Sequence, residues 1–198
     1  PDPAYLLDTT CLTFLEVDEM ALRDDVLVWV DLEMTGLDPE QCAIVEAAMI
    51  LTDRELNVVG QPLNLVIWQP DSVLETMEPF VREMHTQSGL LERIRKSQLS
   101  MAGSESQMME FVTKHCGYRT APLCGNTIGQ DRRFLVKYMP QLEGYLHYRN
   151  IDVSTVKELG LWWHKEKYIK PSDGKHTAMH DIEQSIEELK YFRSKIFR

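Results

Sequence analysis

The spacing of hydrophobic residues along the chain predicts three strands at its beginning. Val26–Glu33 and Ile44–Thr52 are apolar runs of the length and composition typical of strands. A turn at Asp53–Asn57 separates the second run from a third, Leu63–Trp68. Because the connections between the three runs are short, they favour an antiparallel meander.

After Pro70 the apolar residues recur mainly at helical spacing, interrupted by two short strand-like segments. The predicted elements are helices at Ser88–Lys96 and Ser104–Cys116, a strand at Ala121–Gly125, helices opening at Asp131 and Pro140, a buried strand at Asn150–Val153, a helix at Val156–Trp163 with Ser154 as its N-cap, and a last helix from about Thr177 to Phe192. This order predicts an α/β fold with a mixed five-stranded sheet, an antiparallel three-strand meander plus two parallel strands, flanked by helices.

Length and composition suit a single globular domain. The chain has 198 residues, of which 43% are hydrophobic and 26% charged, enough to bury a sizeable core. We expect residues 26–198 to form this domain and residues 1–25 to be an N-terminal extension. The extension carries several acids and one base, and resembles neither a secretion signal nor an Arg-rich transit peptide.

Charge, hydropathy and cysteine spacing exclude several classes of function. The formal net charge of −10 argues against an extended basic surface for long duplex nucleic acid, and leaves open small ligands or short nucleic acids held through metals. No run of about 18 apolar residues occurs, so we expect no membrane span. The four cysteines lack zinc-type spacing. Free thiols indicate a reducing, intracellular location, cytoplasmic or, in a eukaryote, mitochondrial.

Two carboxylates lie at the end of the first predicted strand. Asp31 and Glu33 project from the same face, because residues two apart in a strand point the same way. Two like charges side by side require a divalent metal, a shared proton or an arginine. For an isolated pair, a solvated strand edge is the simpler explanation. Gly36 follows and allows a close backbone turn.

Three further residues could join this pair. Asp131 and Asp181 each stand near the start of a predicted helix, where the macrodipole alone would stabilise an acid. His176 precedes Asp181 by five residues, and we expect it in the loop before the last helix, swung back over the site. Four carboxylates suit two Mg²⁺ or Mn²⁺ ions, which can promote in-line attack of water on a phosphodiester. A histidine nearby can accept the proton of that water.

The same residues lie in segments that resemble known motifs. Asp31–Leu37, Cys124–Phe134, and His176 with Asp181 resemble the three exonuclease motifs of the DEDDh superfamily, and in particular its oligoribonuclease family. Leu146–Arg149 and Ile151–Leu159 are also similar to that family. The resemblance covers about Val26 to Arg198, which is nearly all of the chain except the first 25 residues.

The resemblance implies an RNase H-like fold, a homodimer, and a 3′-to-5′ exoribonuclease that degrades short single-stranded RNA of two to about five nucleotides to nucleoside 5′-monophosphates. It implies two divalent cations, Mg²⁺ or Mn²⁺, bound by Asp31, Glu33, Asp131 and Asp181, with His176 as the general base. The implied substrate-binding residues are Leu37 as a wedge against the bases, His85 at the 3′ nucleotide, Thr127, Arg149 and Ser154 around the 5′ phosphate, and Tyr148 supplied across the dimer interface. Asn126 is a further implied substrate-binding residue.

Two other functions fit the same sequence. One is a DEDDh exonuclease that acts on longer DNA or RNA ends, such as a proofreading activity. The other is a binding module that keeps the fold and sequesters short RNA without cleaving it. Within the site, His180 directly precedes Asp181 and is an alternative base, but the five-residue separation of His176 from Asp181 matches the family pattern.

Overall fold

The structure is a computed structural model that describes residues 22–171 and 177–197. The predicted N-terminal extension therefore lies outside the described residues, apart from residues 22–25. His176, the predicted general base, also lies outside them.

Five strands form one mixed sheet. Strands β1 (Leu27–Met34), β2 (Ile44–Thr52) and β3 (Val58–Val66) are antiparallel neighbours, whereas β4 (Pro122–Gly125) and β5 (His147–Asp152) extend the sheet in parallel on the other side of β1. The spatial order is β3-β2-β1-β4-β5. This arrangement confirms the predicted fold class and places β1 at the centre of the sheet.

Helices cover both faces of the sheet. They are α1 (Asp71–Leu74), α2 (Pro79–Gln87), α3 (Leu90–Lys96), α4 (Met101–Thr113), α5 (Gly129–Tyr138), α6 (Pro140–Tyr145), α7 (Val153–Leu159), which continues into a π-helical turn at Gly160–His164, and α8 (Ala178–Ile196). None of the helices within the described ranges is long and apolar enough to cross a bilayer.

Strand β1 directs alternate side chains into two different cores. Val28 and Val30 pack with residues of α4, α5 and α6 on one face, whereas Trp29 packs on the other face with Ile182 and Ile186 of α8. Since side chains alternate along a strand, Asp31 projects from the same face of the sheet as Trp29. The strand thus points its carboxylates toward the face that α8 covers.

The structure corrects two predictions near β5. The predicted buried strand at Asn150–Val153 is instead the edge strand His147–Asp152. It is largely exposed because, among the described residues, no further strand pairs with its outer side. The predicted N-cap of the next helix was also wrong. Asp152, and not Ser154, caps α7, because its side chain accepts a hydrogen bond from the Ser154 N–H at 3.0 Å.

Strand β3 begins earlier than the sequence pattern predicted. Its first residues pair with Leu51 and Thr52 across an irregularity in the register. The segment contains Gly60, with a φ of +72°, and Pro62. Glycine and proline both weaken the strand pattern, so the prediction recognised only the part that begins at Leu63.

Candidate active site

Three carboxylates meet at the end of β1. Asp31 and Glu33 come from the strand, and Asp181 comes from the first turn of α8, which Thr177 caps. One oxygen from each of the three lies within 4.8 Å of the others. Strand alternation and the helix start therefore bring together residues about 150 positions apart in the chain. The structure thus contains an acidic group able to bind a divalent cation.

The fourth predicted carboxylate lies beside this trio. Asp131 is in the first turn of α5 and only 7% exposed. Its Oδ1 accepts a hydrogen bond from the backbone N–H of Leu32 at 3.0 Å. Asp131 is therefore fixed against the backbone between Asp31 and Glu33, close enough for its charge to act on both.

Burial and mutual repulsion strongly perturb these groups. Burial, followed by the charges of Asp131, Glu33 and Asp181, raises the pKa of Asp31 well above its usual range. Burial and the charge of Glu46 raise the pKa of Glu33 to about 8. Burial raises the pKa of Asp131 to about 7, although the Leu32 N–H opposes that change. A bound cation would favour the ionised forms of all these carboxylates.

The stability of the metal-free protein is expected to depend on pH in a defined direction. A carboxyl whose folded pKa lies above its unfolded value stabilises the fold at low pH, and this contribution is lost as the pH rises through the folded pKa. With folded pKa values of about 7 and about 8 for Asp131 and Glu33, the Tm in EDTA should fall between about pH 5 and pH 8.5. Saturating Mg²⁺ should reduce this fall, and an equal fall with and without Mg²⁺ would contradict cation binding by these groups.

Sequence reasoning missed a buried acid next to the site. Glu46 of β2 lies directly across from Glu33 in the strand register and is 0% exposed. Its Oε1 accepts hydrogen bonds from Arg93 at 2.7 Å and from Asn64 at 3.3 Å. The signal was present in the sequence, since Glu46 is the one charged residue in the apolar run Ile44–Thr52.

His85 lies beside Glu33, and Leu37 lies on the loop that follows β1. His85, on α2, is 1% exposed, and its Nε2 is 2.9 Å from the carbonyl oxygen of Met34. Its Nδ1 is 3.9 Å from Glu33 Oε2. Leu37 follows the strand and is 73% exposed. The structure therefore places a buried imidazole beside the carboxylates and an exposed apolar side chain on the adjoining loop.

The junction between β4 and α5 forms a small polar cluster. Thr127 has a φ of +53°, and its N–H donates to Asp152 Oδ1 at 3.0 Å and to Ser154 Oγ at 3.2 Å. The amide of Asn126 donates to Ser185 Oγ at 2.8 Å and to Glu188 Oε2 at 3.1 Å. Thr127 and Ser154 thus lie together, whereas the Asn126 amide group is directed toward α8.

Tyr148 and Arg149 lie on the edge strand β5. Tyr148 is 72% exposed, and the Arg149 guanidinium carbon is 5.5 Å from the centre of its ring. Arg132 binds the backbone of this strand, because the Arg132 guanidinium donates to the carbonyl oxygens of His147 and Tyr148 at 3.1 Å each. Both residues are therefore presented outward on a strand whose backbone is fixed.

Comparison with known proteins agrees with this geometry. The family model described as Exonuclease (RNase_T) matches residues 28–189. The chain is 51% identical over 176 residues to the Oligoribonuclease of Marinobacter nauticus, covering 88% of this chain and 97% of that protein. It is 48% identical over 181 residues to the Oligoribonuclease of Thiobacillus denitrificans, covering 90% of this chain and 99% of that protein.

Solved structures with a similar fold include exonucleases. Exonuclease I from Methylocaldum szegediense superposes with a TM-score of 0.66 at 19% identity, covering 86% of this chain and 41% of that one. Exonuclease I from E. coli, in complex with a dA16 oligonucleotide, gives a TM-score of 0.67 at 16% identity, covering 87% and 41%. The chain spans about two fifths of the length of these structures, and at this identity the likeness shows the fold. With the exonuclease model matched over most of the chain and relatives about half identical across nearly their full length, the chain belongs to the oligoribonuclease family.

Proposed function

We propose that the protein is a metal-dependent 3′-to-5′ exoribonuclease that hydrolyses RNA of two to about five nucleotides and releases nucleoside 5′-monophosphates. The observation that carries this proposal is the trio Asp31, Glu33 and Asp181, whose oxygens lie within 4.8 Å of one another in an oligoribonuclease-family chain. We place the catalytic function in one domain, residues 26–198.

The residues present fit divalent cations. The donors are carboxylate oxygens, which are the preferred ligands of Mg²⁺ and Mn²⁺. Burial and, after it, the charges of neighbouring acids raise the pKa values of Asp31 and Glu33, and a bound cation would favour their ionised forms. We assign two ions to Asp31, Glu33, Asp131 and Asp181. When bound, such ions activate water and stabilise the leaving oxygen of an in-line displacement.

His176 is proposed as the base that accepts the proton of the attacking water. It directly precedes Thr177, the N-cap of α8, and so is joined by a short connection to Asp181 in the first helical turn. The water oxygen forms a bond to phosphorus, and the bond from phosphorus to the O3′ of the preceding nucleotide breaks. The O3′ oxygen takes up a proton and becomes a 3′ hydroxyl. The phosphate then stays on the 5′ oxygen of the released nucleotide, which gives a 5′-monophosphate.

The substrate contacts are proposed from the same arrangement. The exposed Leu37 would enter between the bases, and the buried His85 would approach the 3′ nucleotide. Hydroxyl groups of Thr127 and Ser154, with the guanidinium of Arg149, would bind the 5′ phosphate. Asn126 would stabilise the phosphate site indirectly, because its amide binds the junction between β4 and α5 to α8.

A second copy of the chain is proposed to complete the site. Tyr148 stands 72% exposed on an edge strand, where it could cover the 5′ end of a dinucleotide bound by a partner subunit. Such a cover would limit the length of RNA that fits. Sedimentation at micromolar concentration should give a dimer, and a monomer that is active on dinucleotides would remove this role from Tyr148.

The dependence of rate on RNA length tests the proposed substrate. Per 3′ end, a 5′-phosphorylated dinucleotide should be hydrolysed at least about tenfold faster than a twenty-nucleotide RNA, because only its 5′ phosphate can make the charge-assisted contacts. The fold is shared with exonuclease I bound to dA16, which makes an exonuclease for longer strands the competing function. Equal rates on the two RNAs would favour that function over ours.

A further inference from the structure

The loop that carries Leu37 is closed and internally bonded. We call residues 36–42 the wedge loop. At its base, the Thr35 N–H donates to the Ala43 carbonyl at 2.9 Å, and the Ala43 N–H donates to Thr35 Oγ1 at 3.0 Å. Within it, the Asp38 carbonyl accepts the N–H of Cys42 at 2.8 Å. The backbone of the wedge loop is therefore fixed while the Leu37 side chain remains exposed.

The second half of the wedge loop is bound to the last turn of α5. Lys137 Nζ donates to the carbonyl oxygen of Pro39 at 2.6 Å. The hydroxyl of Tyr138 donates to the carbonyl oxygen of Cys42 at 2.6 Å. Since a helix is a stiff element, these bonds hold the far side of the loop at a set position along α5.

The first half of the loop is bound by the first turn of the same helix. The Gln130 side-chain amide donates to the carbonyl oxygen of Leu37 itself. Arg133 Nη1 donates to Gln130 Oε1 at 2.9 Å, so the oxygen of that amide faces Arg133 and its nitrogen faces Leu37. Gln130 directly precedes Asp131, whose carboxylate binds the Leu32 N–H.

Adjacent helix residues project about 100° apart, so one turn of α5 makes two contacts in different directions. Asp131 contacts the backbone of β1, and Gln130 contacts the wedge loop. The first turn of α5 therefore joins the Leu37 backbone to the strand that carries Asp31 and Glu33, in addition to the bonds at the base and on the far side of the wedge loop. This bond limits the motion of the exposed end of the loop, where Leu37 lies.

We propose that Gln130 is a positioning residue that fixes Leu37 relative to the carboxylates, and so sets where the two bases of a dinucleotide separate with respect to the bond that is cut. The inference rests on the proposed function, in which Leu37 enters between the bases. Gln130 acts only through the Leu37 carbonyl, and Arg133 orients its amide. Its effect should therefore depend on the presence of the second base.

The test compares wild type with Gln130→Met, which keeps side-chain length and removes the donor. On a 5′-phosphorylated diadenylate, KM should rise about fivefold, the net effect of one hydrogen bond, with kcat within about twofold. On an analogue whose 5′ ribose carries no base, both constants should stay within about twofold of wild type. Gln130→Lys restores a donor and should recover part of the KM loss.

Two further variants separate positioning from general damage. Leu37→Ala should raise KM for the diadenylate, and adding Gln130→Met to it should cause no further rise, because contacts that act as a unit are not additive. Gln107→Met, an exposed glutamine on α4, is the matched control and should behave as wild type. Additive losses, equal losses on both substrates, or an unchanged KM in Gln130→Met would overturn the inference.

Failure of the proposed function gives a different result. If wild type does not hydrolyse the diadenylate at all, the function is wrong and the inference falls with it. If wild type hydrolyses it but Leu37→Ala has the wild-type KM, the function stands and the positioning role of Gln130 is wrong.

Discussion

Replacing Asp31 with asparagine is expected to lower kcat for a 5′-phosphorylated dinucleotide by about a thousandfold or more, because stabilisation of the reacting groups by bound cations contributes several kcal/mol. Asp31 belongs to the trio whose oxygens lie within 4.8 Å of one another, and the charges of Asp131, Glu33 and Asp181 all act on it. Asparagine keeps the shape of the side chain and removes its charge. The measurement is turnover of the dinucleotide in Mg²⁺.

The same variant should be more stable than wild type when both are metal-free. Burial and like charges raise the pKa of Asp31, so its ionisation destabilises the fold as the pH rises. The Tm of Asp31→Asn in EDTA at about pH 8.5 should therefore exceed that of wild type. Higher stability together with lost activity distinguishes removal of a metal ligand from damage to the fold, which would lower both.

A surface carboxylate provides the matched control. Asp71, on α1, has a side chain that is 70% exposed and pairs with Arg95 at the surface. Asp71→Asn should change neither kcat nor the effect of Mg²⁺ on Tm. If Asp31→Asn kept the turnover of this control in Mg²⁺, the carboxylate cluster would not be the catalytic centre.

Replacing His176 with glutamine is expected to lower kcat by about a hundredfold to ten-thousandfold, the range for loss of a general base. The wild-type rate should rise with pH as the imidazole loses its proton, because only the neutral form can accept a proton from water. His176→Gln should lose this rise as well as the rate. The measurement is kcat for the dinucleotide across the pH range in which the protein stays folded.

His180 is the internal control for that experiment. It lies in the first turn of α8, and its Nδ1 is 3.9 Å from Glu183 Oε2 on the same helix. His180→Gln should stay within about threefold of the wild-type kcat and keep the rise with pH. A larger loss of kcat in His180→Gln than in His176→Gln would indicate that His180, and not His176, is the general base.

The sequence predicted the central strand and the direction of its carboxylates. Strand alternation alone places Asp31 and Glu33 on one face, and the apolar run Ile44–Thr52 coincides with β2. The mixed sheet that the order of elements predicts is confirmed by the structure. These features depend on local periodicity, which a single sequence displays directly.

Features that depend on distant contacts could not be predicted in the same way. The bond from Asp131 to the Leu32 N–H joins residues 99 positions apart, and no local pattern specifies it. The exposure of β5 follows from its place at the sheet edge, whereas its sequence resembled that of a buried strand. The bond from Gln130 to the wedge loop also exists only once α5 packs beside β1.

Glu46 shows an intermediate case. A single charge inside an apolar strand is visible in the sequence, and a buried charge requires a partner. Its proximity to Glu33 follows from the register between β1 and β2, while its partner Arg93 comes from α3, 47 positions later. The sequence could therefore have indicated that Glu46 needs a cation, but not which one.

Hydrolysis of a 5′-phosphorylated dinucleotide by the wild-type protein, with Mg²⁺ and with EDTA, tests the central claim most directly. We expect complete conversion to nucleoside 5′-monophosphates in Mg²⁺, no conversion in EDTA, and recovery when excess Mg²⁺ is restored. Equal conversion in EDTA, or binding of the dinucleotide in Mg²⁺ and in Mn²⁺ without any cleavage, would contradict the assignment of the Asp31, Glu33 and Asp181 cluster as a metal-dependent catalytic centre.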